Sequence, residues 1–392
     1  MRALAATPDG ALAISGSFDQ SAIVWALDQG AALQVLRFHD GAVNAVAALP
    51  DGRFLTGGED GRIALWRVGA LEPLGVIGTH EGPVVGLSVS PDGTGVASAS
   101  WDGTARVTPL EGGPPRVLSG HQGNVNAVAF RPDGRVVTAG YDGTLRVWSD
   151  RHGESPATVT LPAPLNAVAV AADGEVVTGG ADGVVRLGGG REVETGPTPV
   201  IALALSPDGA TVAAASIGGT VALIDRASGR VRARLVGPGL PVWSLAFRSG
   251  GELLTGGGDR LVRRWDVRTG EHIGPVILTR PAELTAGLTG SRGAEVFQAC
   301  AACHTLTPEG GNRAGPTLHG LFGRRIAAVP GYNYSEAFRR LDITWTPETV
   351  SHLFEVGPSH YTPGTKMPEQ TVNDPADRQA LMEFLAEATR AR

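Results

Sequence analysis

The sequence predicts two unlike domains in tandem, a large all-β domain built from seven repeats and a small all-α domain behind it. Three observations predict this. Tight-turn acids recur about every 40 residues through positions 1–278. The pattern lapses over 279–290, where Pro281, Gly287 and Gly290 stand among isolated apolar residues, as in a short linker. From Ser291 to Arg392 apolar residues recur at helical spacing instead. A chain of 392 residues is long for one domain, and 42% hydrophobic residues against 18% charged ones supply apolar surface for two cores.

The repeats are anchored on Asp19, Asp60, Asp102, Asp142, Asp182 and Asp259, with Gly218 standing between the last two. Four residues before each anchor lies a small hydroxyl, Ser15, Thr56, Ser98, Thr138, Thr178 or Thr255, failing only at Ala214. Six residues after it comes Trp25, Trp66, Trp148 or Trp265, replaced elsewhere by Thr108, Gly188 and Ile224. Upstream in most units a Pro-Asp-Gly turn recurs, as at Pro8-Asp9-Gly10 and Pro132-Asp133-Gly134. Proline presets such a turn and glycine accepts its positive φ, so these are hairpin connections. Short runs between them, such as Val43–Leu49 and Thr144–Trp148, are rich in β-branched and aromatic residues and read as strands, about four to a repeat.

A period near 40 with four strands resembles the WD-repeat family, and the resemblance implies a seven-bladed β-propeller over 1–278. It also implies that a histidine before each blade joins the hydroxyl, the acid and the tryptophan in a buried structural set. The matching residues are His39, Thr56, Asp60 and Trp66, then His121, Thr138, Asp142 and Trp148. A third set, His80, Ser98 and Asp102, lacks its tryptophan. A histidine beside an acid is also metal-ligand chemistry, but a polar set that satisfies itself accounts for the same spacing. The sixth unit has lost every member, with Ala214, Gly218 and Ile224, and is expected to be the softest blade.

The first unit has no histidine at the usual distance before Asp19, and the chain opens on an inner strand. Propellers of this family commonly borrow an N-terminal strand to complete the last blade. Here the last unit is expected to use His272 to Leu278 as its own outer strand, leaving the ring without that clasp. The first ten residues also lack the long apolar core of an export signal. Both features fit a translation start upstream of Met1.

The net charge is −6 and no basic stripe is present, which argues against a nucleic-acid partner. No run of about 18 apolar residues offers a membrane span.

The second domain opens with Ser291 as N-cap, and Gly293 and Phe297 share one helix face. A later helix follows Asp374-Pro375 and repeats Leu381, Phe384, Leu385 and Ala388 at i, i+3, i+4 and i+7. The two are expected to cross, with Gly293 letting Phe384 approach. At the end of the first helix stands Cys300-Ala-Ala-Cys303-His304, which holds both cysteines of the chain. That spacing attaches a c-type haem: two thiolates add to the vinyl groups of one porphyrin and the next residue brings an imidazole to the iron. A redox pair needs no such histidine, and half a zinc site needs a second half.

The block Gly315-Pro316-Thr317-Leu318-His319-Gly320-Leu321-Phe322-Gly323-Arg324 and the loop Tyr361-Thr362-Pro363-Gly364-Thr365-Lys366-Met367 resemble class I cytochrome c, and the likeness spans 291–392. The resemblance implies one covalent haem c on Cys300 and Cys303, with iron ligated by His304 and Met367. It implies that the Pro316 carbonyl accepts a hydrogen bond from His304, and that Arg324, Tyr334 and Trp345 face the propionates, whose buried charge needs donors. Met382 lies within the last helix, where core filling is its expected role. His319 matches a loop-bracing position, while His352 and His360 read as exposed residues on and just after a short helix. Phe354 stands where the family usually has a tyrosine beside the methionine. From Gly290 on there are ten basic and eleven acidic residues, so no strong field steers this domain, although Arg313, Arg324, Arg325 and Lys366 form a small basic group.

A thioether and an imidazole leave no open position on the iron. The expected function is therefore that of a periplasmic single-electron carrier rather than an enzyme, with the propeller as a platform for redox partner proteins. The alternative is a redox enzyme whose propeller holds a second catalytic cofactor fed by the cytochrome domain. His152 and His272 are the propeller histidines outside the structural sets, and they are unclustered. A third reading is a non-redox scaffold with an unused motif.

Overall fold

In the computed structural model, seven antiparallel sheets of four consecutive strands follow one another along the chain. The structure describes residues 1–392 except 71, 150–153, 237–239, 259–260, 274–290, 302–303, 309–310, 313–314, 333, 335, 364, 366, 368–370, 373 and 391–392. The predicted linker, Cys303, Asp259, His152, Arg313 and Lys366 thus lie outside the described residues. Two units are distinguished, Met1–Val276 and Ile277–Arg392.

The first unit is a seven-bladed propeller. The innermost strand of each blade lies beside that of the next, and Val242–Phe247 of the seventh lies beside Ala3–Ala6 of the first, which closes the ring. Closure does not share a strand, because the seventh blade takes its outer strand, Glu271–Ile273, from its own repeat. Polar contacts carry the seam: Ser249 Oγ donates to the Asp9 carbonyl at 3.1 Å, and Arg248 reaches the Gly10 carbonyl and Asp28.

The histidine sets form as the resemblance to WD repeats implies. Trp66 Nε1 donates to Thr56 Oγ1 at 2.9 Å, the hydroxyl lies 2.8 Å from His39 Nε2, and His39 Nδ1 lies 3.0 Å from Asp60. A carboxylate only accepts, so Nδ1 carries the proton and Nε2 accepts from the threonine, leaving no hydrogen-bonding group of the neutral ring unsatisfied. Trp148, Thr138, His121 and Asp142 repeat the chain at 2.9, 2.7 and 3.1 Å. His80 keeps Ser98 at 2.8 Å and Asp102 at 2.9 Å, with Thr108 at the tryptophan position.

Where the set is missing, other chemistry takes its place. In the fifth blade Arg186, 8% exposed, pairs with Asp182 at 2.6 Å and Glu192 at 2.8 Å. At the equivalent positions the sixth blade carries no polar set among the described residues. Ala214 and Ile224 are 2% and 0% exposed and pack into an apolar cluster with Val212 and Ala222. Buried apolar side chains thus stand where the other blades hold members of the polar set.

The second unit is helical, with α1 Arg292–Ala301, α2 Glu336–Arg339, α3 Pro347–Val356, α4 Pro358–Tyr361 and α5 Pro375–Ala388. Ser291 Oγ accepts from the Ala294 amide at 3.2 Å and Asp374 accepts from the Ala376 amide at 2.7 Å, so both predicted caps form. Helices α1 and α5 pack where Gly293 faces Ala380 and Phe384; a β-carbon at Gly293 would stand 2.0 Å from the Ala380 carbonyl oxygen. Phe297 and Phe384 meet with ring centroids 5.3 Å apart. His352 and His360 are exposed; His360 belongs to α4, a short helix after the one predicted.

Candidate haem site

Helix α1 delivers Cys300 into the core of the second unit, where it is 8% exposed among Phe297, Leu321, Leu353 and Phe354. The His304 amide donates to the carbonyl of Cys300, in the last turn of α1, at 3.0 Å. The histidine is therefore placed by the end of a rigid element rather than by a free loop. Its ring then meets the second block of the sequence: His304 Nδ1 lies 2.8 Å from the Pro316 carbonyl oxygen. A carbonyl cannot donate, so Nδ1 holds the hydrogen and the lone pair is left at Nε2, the tautomer that a metal-ligating imidazole requires.

Gly315 explains how the loop lies so close. A β-carbon there would stand 2.2 Å from His304 Cε1, so any side chain would drive the ring aside. The loop is sewn to the segment after the histidine: the Leu318 amide donates to the Thr305 carbonyl at 2.8 Å, and Thr317 Oγ1 reaches the carbonyls of Thr305 and Thr307 at 3.5 and 3.4 Å.

Arg324 closes the same loop from the other end, donating from Nη1 to the His319 carbonyl at 2.7 Å and from Nη2 to the Thr317 carbonyl at 2.8 Å. Burial pushes its pKa down, and no carboxylate among the described residues pairs with it. Backbone bonds bring Trp345 alongside, from its amide to the Arg324 carbonyl at 2.9 Å and back from the Gly323 amide at 2.8 Å. Tyr334 is 9% exposed and stacks on Phe338 with centroids 5.7 Å apart; burial raises its phenol pKa, opposed in part by the Arg324 charge.

Met367 comes from the loop after α4. That loop is tightened by Thr362, whose hydroxyl donates to the Pro358 carbonyl at 2.8 Å, and by Thr365, whose Oγ1 accepts from the Met367 amide at 3.1 Å. Met367 packs half-buried against the cluster that contains Cys300 and Phe354. Met382 is 7% exposed in the same core, as expected of a filler on α5.

The donor chemistry fits haem c. The imidazole has its tautomer fixed, a thioether lies against the core that holds Cys300, and a half-buried guanidinium with no carboxylate partner among the described residues matches the charge of a propionate. The sequence signalled each of these residues. It did not signal Asn312, which accepts from the Thr317 amide at 3.0 Å through Oδ1 and donates from Nδ2 to the Pro330 carbonyl at 3.1 Å. An asparagine in an aperiodic loop carries no positional pattern from which such a bridge could be read.

Comparison with known proteins agrees with both halves of this description. The family described as WD domain, G-beta repeat matches residues 30–67, 71–108, 112–149 and 229–266, which include the first three strands of the second, third, fourth and seventh blades. The cytochrome c family matches residues 290–389. Cytochrome c of Arabidopsis thaliana is 41% identical over 110 residues, 28% of this chain and 97% of that protein. Cytochrome c of Cochliobolus lunatus is 43% identical over 100 residues, 25% of this chain and 92% of that protein. That of Gibberella zeae is 40% identical over 106 residues, 27% and 99% respectively. The chain therefore belongs to the cytochrome c family through its helical C-terminal unit, fused behind a seven-bladed propeller of WD40 repeats.

Proposed function

We propose that the chain is a monohaem electron carrier of class I type, working in the bacterial periplasm, whose propeller docks the redox partner protein. Cys300 and Cys303 hold one haem c through thioether bonds, and His304 and Met367 ligate its iron. The hydrogen bond from His304 Nδ1 to the Pro316 carbonyl is the observation that carries this reading, because it fixes the ring in the ligating tautomer. Haem c, when bound, supplies a one-electron couple. The protein's own residues do the rest: Gly315 and Pro316 hold the imidazole, the Thr362 and Thr365 bonds hold the methionine loop, and Arg324, Tyr334 and Trp345 present charge and donors to the propionates.

Two protein ligands leave no position for substrate, which favours electron transfer over catalysis. In the propeller, His39, His80 and His121 are spent on structural sets, which supports a docking platform over a second cofactor site. A partner held by the propeller meets the haem domain at a raised effective concentration, because the two are joined by one chain. The periplasmic placement rests on the haem-attachment motif and is tested by fractionating the source cell.

Substitution tests the ligand set. Met367→Ala is expected to abolish the methionine-sulfur absorption band and to lower the reduction potential, since thioether ligation favours ferrous iron. Met382→Ala is expected to keep the band. Loss of the band in the second variant and its survival in the first would show that the distal ligand is misassigned.

A further inference from the structure

We propose that Asn312 tunes the His304 ligand through the peptide group that joins Pro316 to Thr317, an inference resting on His304 as the iron ligand. The carbonyl of Pro316 and the amide of Thr317 belong to one peptide unit. On one side that unit accepts from His304 Nδ1 at 2.8 Å; on the other it donates to Asn312 Oδ1 at 3.0 Å. The three groups thus form a single chain from carboxamide through peptide to imidazole.

Chains of this kind polarise. A carboxamide oxygen on the N–H draws the peptide toward its charge-separated form and places more negative charge on its carbonyl oxygen. A stronger acceptor at Nδ1 gives the imidazole more imidazolate character and makes Nε2 more basic. A more basic axial nitrogen stabilises the oxidised iron, so Asn312 holds the reduction potential down.

The orientation of the carboxamide is fixed. Its Nδ2 donates to the Pro330 carbonyl at 3.1 Å, so Oδ1 is the atom left facing the Thr317 amide. Asn312 is exposed, and water taking its place would lack that fixed direction. Arg324 Nη2 anchors the next carbonyl, that of Thr317, at 2.8 Å, so the peptide's position survives when the asparagine goes. Asn312 is accordingly a positioning residue that acts through the peptide and not a ligand.

The test compares the full haem-loaded chain with Asn312→Leu and Asn312→Asp by spectroelectrochemical titration, recording the methionine-sulfur band in each. Asn312→Leu is expected to raise the potential, shifting the reduced-to-oxidised ratio at fixed applied potential about threefold, or about 28 mV at 59 mV per tenfold for one electron. Asn312→Asp keeps an acceptor on the Thr317 amide, adds negative charge and is expected to shift the ratio the other way. Simple loosening of the loop would admit water to the site and lower the potential of the leucine variant, opposite in sign to the proposal. An unchanged or lowered potential in Asn312→Leu, with the band intact, overturns the inference and leaves the ligand assignment standing. A parent chain without haem overturns both.

Discussion

The propeller and the cytochrome unit both hold histidines on fixed partners, but one does so in multiple copies of a buried set and the other with a single half-buried ring. His39, His80 and His121 occupy equivalent places in successive blades, and both ring nitrogens of each are satisfied within the protein. The third blade manages without the tryptophan, the fifth replaces the histidine set by Arg186, and the sixth replaces it by alanine and isoleucine. A repeated solution tolerates loss because each core cluster is shared by two neighbouring blades, and the clusters farther round the ring do not depend on it. In the cytochrome unit Gly293, Gly315 and His304 each have one partner geometry and no second copy. What a repeat can lose, a single-copy contact cannot.

The sharpest way to break this contrast is at the crossing of α1 and α5. Gly293→Ala puts a methyl 2.0 Å from the Ala380 carbonyl oxygen and 2.6 Å from Phe384 Cβ. Overpacking against backbone cannot be relieved by a rotamer change, so a loss of about 3 kcal/mol is expected, seen as a lower melting temperature of the helical transition while the β-rich transition stays put. A variant that melts like the parent would mean that the helices do not pack through this glycine.

A smaller effect is expected inside the repeat. His121→Ala takes one partner from the Asp142 carboxylate, which keeps the Gln122 and Thr144 amides, and leaves Thr138 Oγ1 to Trp148 alone, which costs about 2 kcal/mol. Hydrogen exchange should rise in the fourth blade, while the sixth blade, packed without any such set, keeps its protection. Uniform loss of protection around the ring would contradict blade-by-blade redundancy.

Acid should act on the same sets more gently. Burial pushes the pKa of His80 and His121 below the ordinary 6.5, against the pull of Asp102 and Asp142. For Asp142 burial works upward, but the Gln122 amide, Thr144 and His121 outweigh it and hold the carboxyl at about 2. In both cases the unfolded chain binds more protons, so stability rises with pH through the window. The histidine contribution is complete above about 6.5 and fades as pH falls below it; that of Asp142 fades from about 3.8 to about 2. Denaturant midpoints of the propeller measured from pH 8 to pH 5 should therefore decline, and replacing both His80 and His121 by glutamine should flatten the upper part of the curve.

Much of this was legible because repetition and capping write themselves into sequence. The steps between Asp19 and Asp259 gave the seven blades, and Asp374-Pro375 and Ser291 gave two helix starts. The close approach at Gly293 followed from a glycine on the face opposite Phe384. Less regular chemistry was hidden. Arg186 sits four residues after Asp182, at a position that is not a member of the histidine set in the other blades. Asn126 and Asn166 each bulge from an inner strand and donate to a carbonyl of the next blade, Leu165 and Val200, at 2.9 and 3.1 Å. Their shared Asn-Ala-Val-Ala setting was a signal that could have found them. Asn312 had none, because its bridge depends on two loops whose mutual distance no periodicity encodes.

Covalent attachment of haem to Cys300 and Cys303 is tested directly by an intact-mass measurement on chain produced with a haem-attachment system. The expected result is a polypeptide heavier by one haem, with the colour remaining on the protein through acid-acetone extraction and lost from a Cys300→Ala, Cys303→Ala double variant. A mass equal to that of the bare chain, with all colour in the solvent, would contradict it.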